Sequence, residues 1–416
     1  MPEPYSRRSF LSGVLATGTF TAVAIYLTPG GRTMPEIELR LASGADPTGA
    51  RDLLISMWNG ANPRTLVRVD PIASGSGDEH QIMLERAERG DADLLNLDII
   101  DVPEFAAREL ITSVPASGGQ QLVKPLHRMS RVEGDDNRYW ATPFNTDVGM
   151  LFSRVDEDTP PETPRLAELM RGLPDGSRQF VGQLRPTVTA FYEAFVINAL
   201  EHAVAERSGV LKPLDATGVA VAADRISQDL DLWNSALTPL REAIAAGRVA
   251  PSGDEADSRD QFGDPDSPCR YMRNWPVKYR ELQQQGNRFV RTGQVRVDPL
   301  AAGILGGQSL AVVAKSPHAE RAEEFIAFAT SEAAQKILAT HGLAPTVISA
   351  YSDPNLRAAI PHLTNVRSAV EQALPRPAHP NYRRFSDVIK RHVEQFLYND
   401  QDLAPRFIEE MMGTLE

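Results

Sequence analysis

Asp93-Leu94-Leu95-Asn96-Leu97-Asp98-Ile99-Ile100 is the stretch on which the fold turns. It is short, nearly all apolar and too brief for a helix, so it reads as a strand covered on both faces. Upstream, Glu36-Ile37-Glu38-Leu39-Arg40-Leu41 alternates with period two and predicts a strand with one buried face. The turn-rich segment Gly44 to Thr48 leads into an expected helix through Leu53–Met57, and Leu66-Val67-Arg68-Val69 predicts a second strand. Ser76–Asp78 caps a helix running to about Arg89, where Gly90 ends it, and Pro103 to Leu110 predicts a short helix. The order β-α-β-α-β-α is that of an α/β domain with a largely parallel sheet.

Beyond this unit, Asp147 to Arg154 reads as one apolar strand, and the character changes after Pro160-Pro161. Residues 187–250 are mostly helical in pattern, whereas 251–268 read as a solvated acidic loop. Leu310-Ala311-Val312-Val313-Ala314 predicts a strand. Ser316-Pro317 reads as the start of a helix, since serine caps well and proline suits the first turn. Ser331 opens another helix, and the tail from about 384 predicts one or two amphipathic helices.

The chain has 416 residues, which suggests about two or three domains. Hydrophobic residues at 42% and charged residues at 24% exclude global disorder, and a mean hydropathy of −0.29 excludes a multi-span membrane protein. Net charge is −12, and because residues 1–33 carry +2, the remainder carries −14. Such a body repels phosphate backbones, so nucleic acid is not expected as a partner. It suits an uncharged or cationic ligand. The lone Cys269 rules out an internal disulfide and paired-cysteine zinc sites, and reads as a packing residue. No HExxH, GxSxG, GxxxxGK[ST] or GxGxxG occurs. The acids at 254, 255, 257, 260, 264 and 266 fail the EF-hand spacing. Ser74-Gly75-Ser76-Gly77 reads as a strand-to-helix turn rather than an anion nest. No cofactor and no metal site is expected.

Residues 1–33 have the layout of an export signal. Arg7-Arg8 precedes Phe10 to Leu27, an uncharged run of 18 residues, and Thr28-Pro29-Gly30-Gly31 breaks it. Arg-Arg followed by Phe10-Leu11 resembles a twin-arginine signal, with Ser12 where lysine is usual. No clean A-x-A site follows, so a cleaved signal and a retained anchor both fit. The absence of a nearby cysteine excludes a lipid anchor there.

Several separated segments together resemble the extracellular solute-binding proteins of ABC sugar importers, the family with maltose-, trehalose- and oligosaccharide-binding members. They are Leu95-Asn96-Leu97-Asp98 with Glu104-Phe105-Ala106-Ala107, and Tyr139-Trp140-Ala141-Thr142-Pro143-Phe144-Asn145-Thr146-Asp147-Val148-Gly149. Tyr271-Met272-Arg273-Asn274-Trp275-Pro276 and Leu305-Gly306-Gly307 with Ala322-Glu323-Glu324-Phe325-Ile326 follow, then Arg376-Pro377 near the end. Their order and spacing match over nearly the whole chain after the signal. The resemblance implies an α/β, two-lobe, periplasmic-binding-protein-like fold of type II with the ligand cleft between the lobes. It places crossovers near Asp147–Gly149, Gly307–Ala311 and Ala344–Ser349. Lobe 1 is then 34–147 with 308–346, and lobe 2 is 148–307 with 347–416.

By the same resemblance the chain is a non-enzymatic, exported, monomeric receptor. It captures a mono- or oligosaccharide, passes it to the permease subunits of an ABC importer, and touches the membrane only through its N-terminal segment. Asp98 ends an apolar strand, where open sheets place ligands, and would accept from sugar hydroxyls or else cap the next helix. Asp147 and Asn145 fall at the first crossover and would face the cleft or form the hinge turn. Trp275 would be the stacking aromatic or a core residue, and Trp140 is more at home in the core. Gly306 and Gly307 would admit the ligand to the backbone or form a bulge. Arg376 would reach sugar hydroxyls or make a structural ion pair, and Glu193 would line the cleft or sit on a helix surface.

Three positions depart from the family pattern: Gln308, Val277 and Asp101. Each removes stacking area or adds polarity to the expected cleft. A two-lobe envelope sensor with a degenerate cleft is therefore the alternative. A secreted carbohydrate-active enzyme ranks last, because no opposed carboxylate pair stands out.

Overall fold

The structure is a computed structural model that describes residues 35–416 except 73–78, 117–120, 156–164, 187–190, 207–208, 215–221 and 302. The export segment, the Ser74–Gly77 turn and the Ser76–Asp78 cap lie outside the described residues. In chain order the strands are β1 (Ile37–Ser43), β2 (Thr65–Pro71), β3 (Leu94–Asp98), β4 (Ile111–Thr112), β5 (Val114–Pro115), β6 (Arg131–Val132) and β7 (Asp135–Tyr139). They continue as β8 (Thr142–Val148), β9 (Met150–Arg154), β10 (Phe180–Gly182), β11 (Val249–Pro251), β12 (Tyr271–Asn274), β13 (Val295–Pro299) and β14 (Leu305–Val313).

Among the described residues the strands form two main sheets and a small ribbon, β5-β7-β6. The first sheet runs β2-β1-β3-β14-β4, with β8 also paired to β14. Within it β1 is parallel to β2 and β3, as the early β-α alternation predicts, while β14 runs against β3 and β8. Leu94 of β3 packs into one core and Leu95 and Leu97 into another, so both faces of the strand are covered and its apolar run is explained. The second sheet runs β11-β10-β12-β9-β13. Helices Glu193–Glu206, Leu230–Ala245 and Tyr382–Tyr398 pack together beside it. The result is the mixed α/β, two-lobe architecture.

The chain changes sheets at narrow joints. The expected single strand 147–154 is two: β8 ends at Val148 in the first sheet and β9 begins at Met150 in the second. Gly149 is the joint, and a side chain there would strike the Glu201 carboxylate. Between β13 and β14 the chain returns over residues 300–304, so Gly306 and Gly307 already pair with Asp147 and Thr146 of the first sheet. Thr146 donates to the Ala344 carbonyl at 3.0 Å, which ties the first joint to the segment leading into helix Ile348–Ser352.

Two local expectations are corrected. Residues 251–268 are not all loop, because Glu255–Gly263 is a helix. Asp254 caps it by accepting from the Asp257 amide, and Glu255 and Asp257 sit in the first turn, where carboxylates oppose the helix dipole favourably. Only Ser258 and Phe262 of this helix are buried, so its apolar periodicity is faint. Ser316 does not cap the next helix, which starts at Ala319. Its hydroxyl donates to Asp93 at 2.7 Å and accepts from the His318 amide at 3.1 Å, closing a turn instead. No helix among the described residues is long and apolar enough to cross a membrane.

Candidate functional site

Where the two sheets face one another lies a cavity of about 300 Å³. From the first sheet it takes the loop after β1, the end of β3, and the paired strands β8 and β14. From the second side come the start of helix Glu193–Glu206, Glu255, the segment after β12, and Arg376. Asp98, Asn145, Asp147, Glu193, Trp275, Gly306, Gly307 and Arg376 all line it. These residues are far apart in sequence, and the strand ends and joints bring them to one space.

Asp98 lines the cavity, and it is not the cap of the next helix, whose N-terminal position is Asp101. The Asp98 Oδ1 accepts from the Ile100 amide at 3.1 Å, turning the chain toward the next helix, and lies 3.4 Å from the Arg376 guanidinium. Burial holds its carboxyl above the usual range, with Arg376 opposing and Asp101 adding to the effect. Arg376, 1% exposed, donates to Glu193 at 2.5 Å. Glu193 also accepts from the Tyr382 hydroxyl at 2.8 Å and the Ser386 hydroxyl at 2.7 Å. It therefore fixes Arg376 in place, and its own acceptors are largely used. The ion-pair reading of Arg376 and its place on the cavity wall are both realised.

Trp275 is half-buried. The Arg273 guanidinium lies 4.0 Å from its ring, and the indole N–H reaches Glu255 at 3.3 Å. Arg273 is itself fully buried and gripped twice by Glu201, at 2.6 and 3.1 Å, and Glu201 also accepts from the Ile304 amide at 3.1 Å. A Cβ at Gly306 would lie 3.8 Å from the indole and 3.4 Å from the Asp147 Cβ, ordinary contacts, so the strand runs beside Trp275 without requiring glycine there. Gly307 has φ 127°, and any side chain there would strike the Asn145 carbonyl. The β8–β14 register shifts just beyond it, so Gly307 serves the bulge. Asn145 is 3% exposed and forms part of the wall.

Burial pushes the Asp147 carboxyl up to about 7; Lys278 opposes this, and Asp98 adds to it. The unfolded chain titrates near ~3.9, so the folded chain holds this proton more tightly between about 4 and about 7. Stability from this group falls as pH rises through that window. Asp147→Asn is expected to melt above the parent at pH 8 and close to it at pH 4. Thermal unfolding across pH checks this, and equal melting of the two at pH 8 would contradict it.

The departures from the family pattern separate. Gln308 and Val277 line the cavity, and Gln308 accepts from Asn96 at 2.9 Å. Asp101 does not line it. Its two oxygens are taken by Arg383 at 2.8 and 2.9 Å, so it adds no polarity to the cleft. Trp140 packs against the smaller core.

Asn96, Arg51, Asp46, Glu255 and Lys278 also line the cavity and were not nominated from sequence. Asn96 had a signal, being the one uncharged polar side chain inside the β3 run. Its amide donates to the Ser43 hydroxyl at 3.0 Å, and Arg51 donates to the Gly44 carbonyl at 2.8 Å. Four buried polar atoms of cavity residues have no partner: Arg51 Nε, Asn96 Oδ1, Asp147 Oδ1 and Arg376 Nε. Two are donors and two are acceptors.

Residues 59–364 match the family described as bacterial extracellular solute-binding protein. A probable ABC transporter-binding protein of Deinococcus radiodurans is 26% identical over 337 residues, 75% of this chain and 76% of that protein. The maltose-bound MalE3 of T. maritima superposes with a TM-score of 0.74 at 26% identity, covering 91% of this chain and 99% of the other. An ABC transporter solute-binding protein of Thermotoga lettingae, solved with α-D-tagatose, gives 0.73 at 17% identity, covering 91% and 100%. At that identity it speaks for the fold alone.

Proposed function

The chain belongs to the bacterial extracellular solute-binding proteins, and within that family we propose that it captures a mono- or small oligosaccharide in the cleft between its lobes and delivers it to an ABC importer. It is a binding protein, not an enzyme. The observation that carries the ligand class is a cavity whose wall mixes donors and acceptors, Arg51, Asn96, Lys278 and Arg376 with Asp98, Asp147, Glu255 and Gln308, together with a half-buried indole. A hydroxyl both donates and accepts, so a polyol meets such a mixed set, and the apolar face of a sugar ring lies well on tryptophan. The cavity of about 300 Å³ is at the small end for ligand pockets, which favours one or two sugar rings.

In this reading lobe 1 is 34–147 with 308–346 and lobe 2 is 148–307 with 347–416, the return to lobe 1 being drawn a few residues earlier because β14 pairs with β8 from Leu305 on. Closure of the lobes would present the loaded form to the permease. Export would run through residues 1–33 as a twin-arginine-type segment, the body acting as a monomer with no other membrane contact. Maltose and tagatose, the ligands of the similar structures, are the first probes.

Titration of the folded protein with maltose, trehalose, tagatose, ribitol and mannitol is expected to give saturable binding by at least one, with a change in tryptophan fluorescence. At a hundred times its Kd that sugar would stabilise the fold by ~2.7 kcal/mol. If no sugar at millimolar concentration moves the melting transition, the reading fails.

A further inference from the structure

The cleft is lined by more acid than base. Asp46, Asp98, Asp147, Glu193, Glu255 and Glu281 face it, against Arg51, Lys278 and Arg376. Three of the acids are provided for. Glu193 holds Arg376, Glu281 takes Lys278 at 2.8 Å and Arg259 at 2.5 Å, and Asp46 accepts from the Thr48 and Arg51 amides. Asp98, Asp147 and Glu255 are matched less fully. Asp98 has the Ile100 amide at 3.1 Å and, at 3.4 Å, a second nitrogen of the guanidinium that also holds Glu193. Glu255 has only the Tyr192 hydroxyl and the indole N–H, each at 3.3 Å. Asp147 Oδ1 is buried with no partner.

All three line the same cavity as Trp275, and Asp98 and Glu255 both act on Asp147. Glu255 touches the indole N–H, and Asp147 meets the ring across Gly306. The charged groups acting on Asp147 are Asp98 on β3, Glu255 on its helix, Lys278 and Arg273, and Asp147 in turn acts on the Tyr351 hydroxyl. Arg273 is spent on Glu201, and Lys278 on Glu281. A neutral hydroxyl would donate one hydrogen bond here and leave the repulsion among the carboxyls in place. An ammonium group brings three donors and a positive charge. Asn96, 2% exposed with its Oδ1 unpartnered, offers a further acceptor on the same cavity. The net charge of −12 draws cations from a distance.

We propose that the preferred ligand is an aminated sugar, its protonated amine seated among Asp147, Glu255 and Asp98 at the edge of Trp275 and its ring on the indole. This rests on the sugar-capture reading above and narrows it. Calorimetry at pH 6.5 on the folded chain tests it, with glucosamine against glucose, galactosamine against galactose, and the chitosan disaccharide against its N-acetylated form.

The amine is expected to win by about tenfold or more, since it gains a charged hydrogen bond. Its binding will release protons as Asp147 ionises, read from the difference between two buffers of unlike ionisation enthalpy. Asp147→Asn with Glu255→Gln is expected to erase the preference. A neutral partner that binds equally or better overturns the proposal and leaves sugar capture standing. An amine preference that survives in the double variant, or comes without proton release, overturns the seat assigned to it. Silence from every pair, with melting curves intact, overturns the amine seat, and sugar capture then stands or falls on the titrations with maltose, trehalose, tagatose, ribitol and mannitol.

Discussion

Replacing Trp275 by alanine is expected to weaken sugar binding by about a hundredfold, or ~2.7 kcal/mol. The size follows from area. Covering about 100 Å² of indole at roughly 25 cal/mol per Å² yields ~2.5 kcal/mol. The ring is also held before any ligand arrives, by the Arg273 guanidinium at 4.0 Å and the bond to Glu255. Little side-chain freedom is then lost on binding, so most of the area counts. Trp275→Phe keeps an aromatic plate but loses the N–H, and is expected to fall between parent and alanine. Calorimetry against one bound sugar, with melting curves to show that both variants fold, decides it. A change under about threefold would take Trp275 out of the site.

The second large effect is on stability. Arg273 and Glu201 are both fully buried and joined by two hydrogen bonds. Removing one member strands the other charge, which costs about 3–5 kcal/mol. Arg273→Leu and Glu201→Leu are each expected to lower the melting midpoint by about 5 °C. The double replacement is expected to recover part of the loss, because no lone charge remains. Glu201→Leu also removes the acceptor of the Ile304 amide, beside the passage back to the first sheet, so it is expected to be the worse single variant. Additive losses in the double variant would show that the pair does not act as a unit.

Much of the frame was legible because its signals are local. The apolar run at 94–98, the alternation at 36–41 and the Ser331 cap are each decided within a few residues. The resemblance nominated Asp98, Trp275 and Arg376 through short motifs, and all three reach one cavity. Other features needed tertiary structure. Nothing near Asp101 announces Arg383, 282 residues away, so a residue expected in the cleft is an ion-pair partner instead. Glu255 was hidden because a helix with two buried residues has almost no apolar stripe. The Asp254 cap and the acids that follow it were the available signs. The split at Gly149 is invisible in a run that stays apolar on both sides, since what divides it is a carboxylate from a distant helix.

The grip of Arg383 on Asp101 joins the turn after β3 to the helix packed beside the second sheet. It bridges the two sides of the cavity while lying outside its lining. Arg383 keeps a quarter of its side-chain surface in water, so dissolved ions reach it and screen the attraction. Under the proposed clamp, added salt is therefore expected to loosen this tie, and a faster release rate of a bound sugar at high ionic strength checks it.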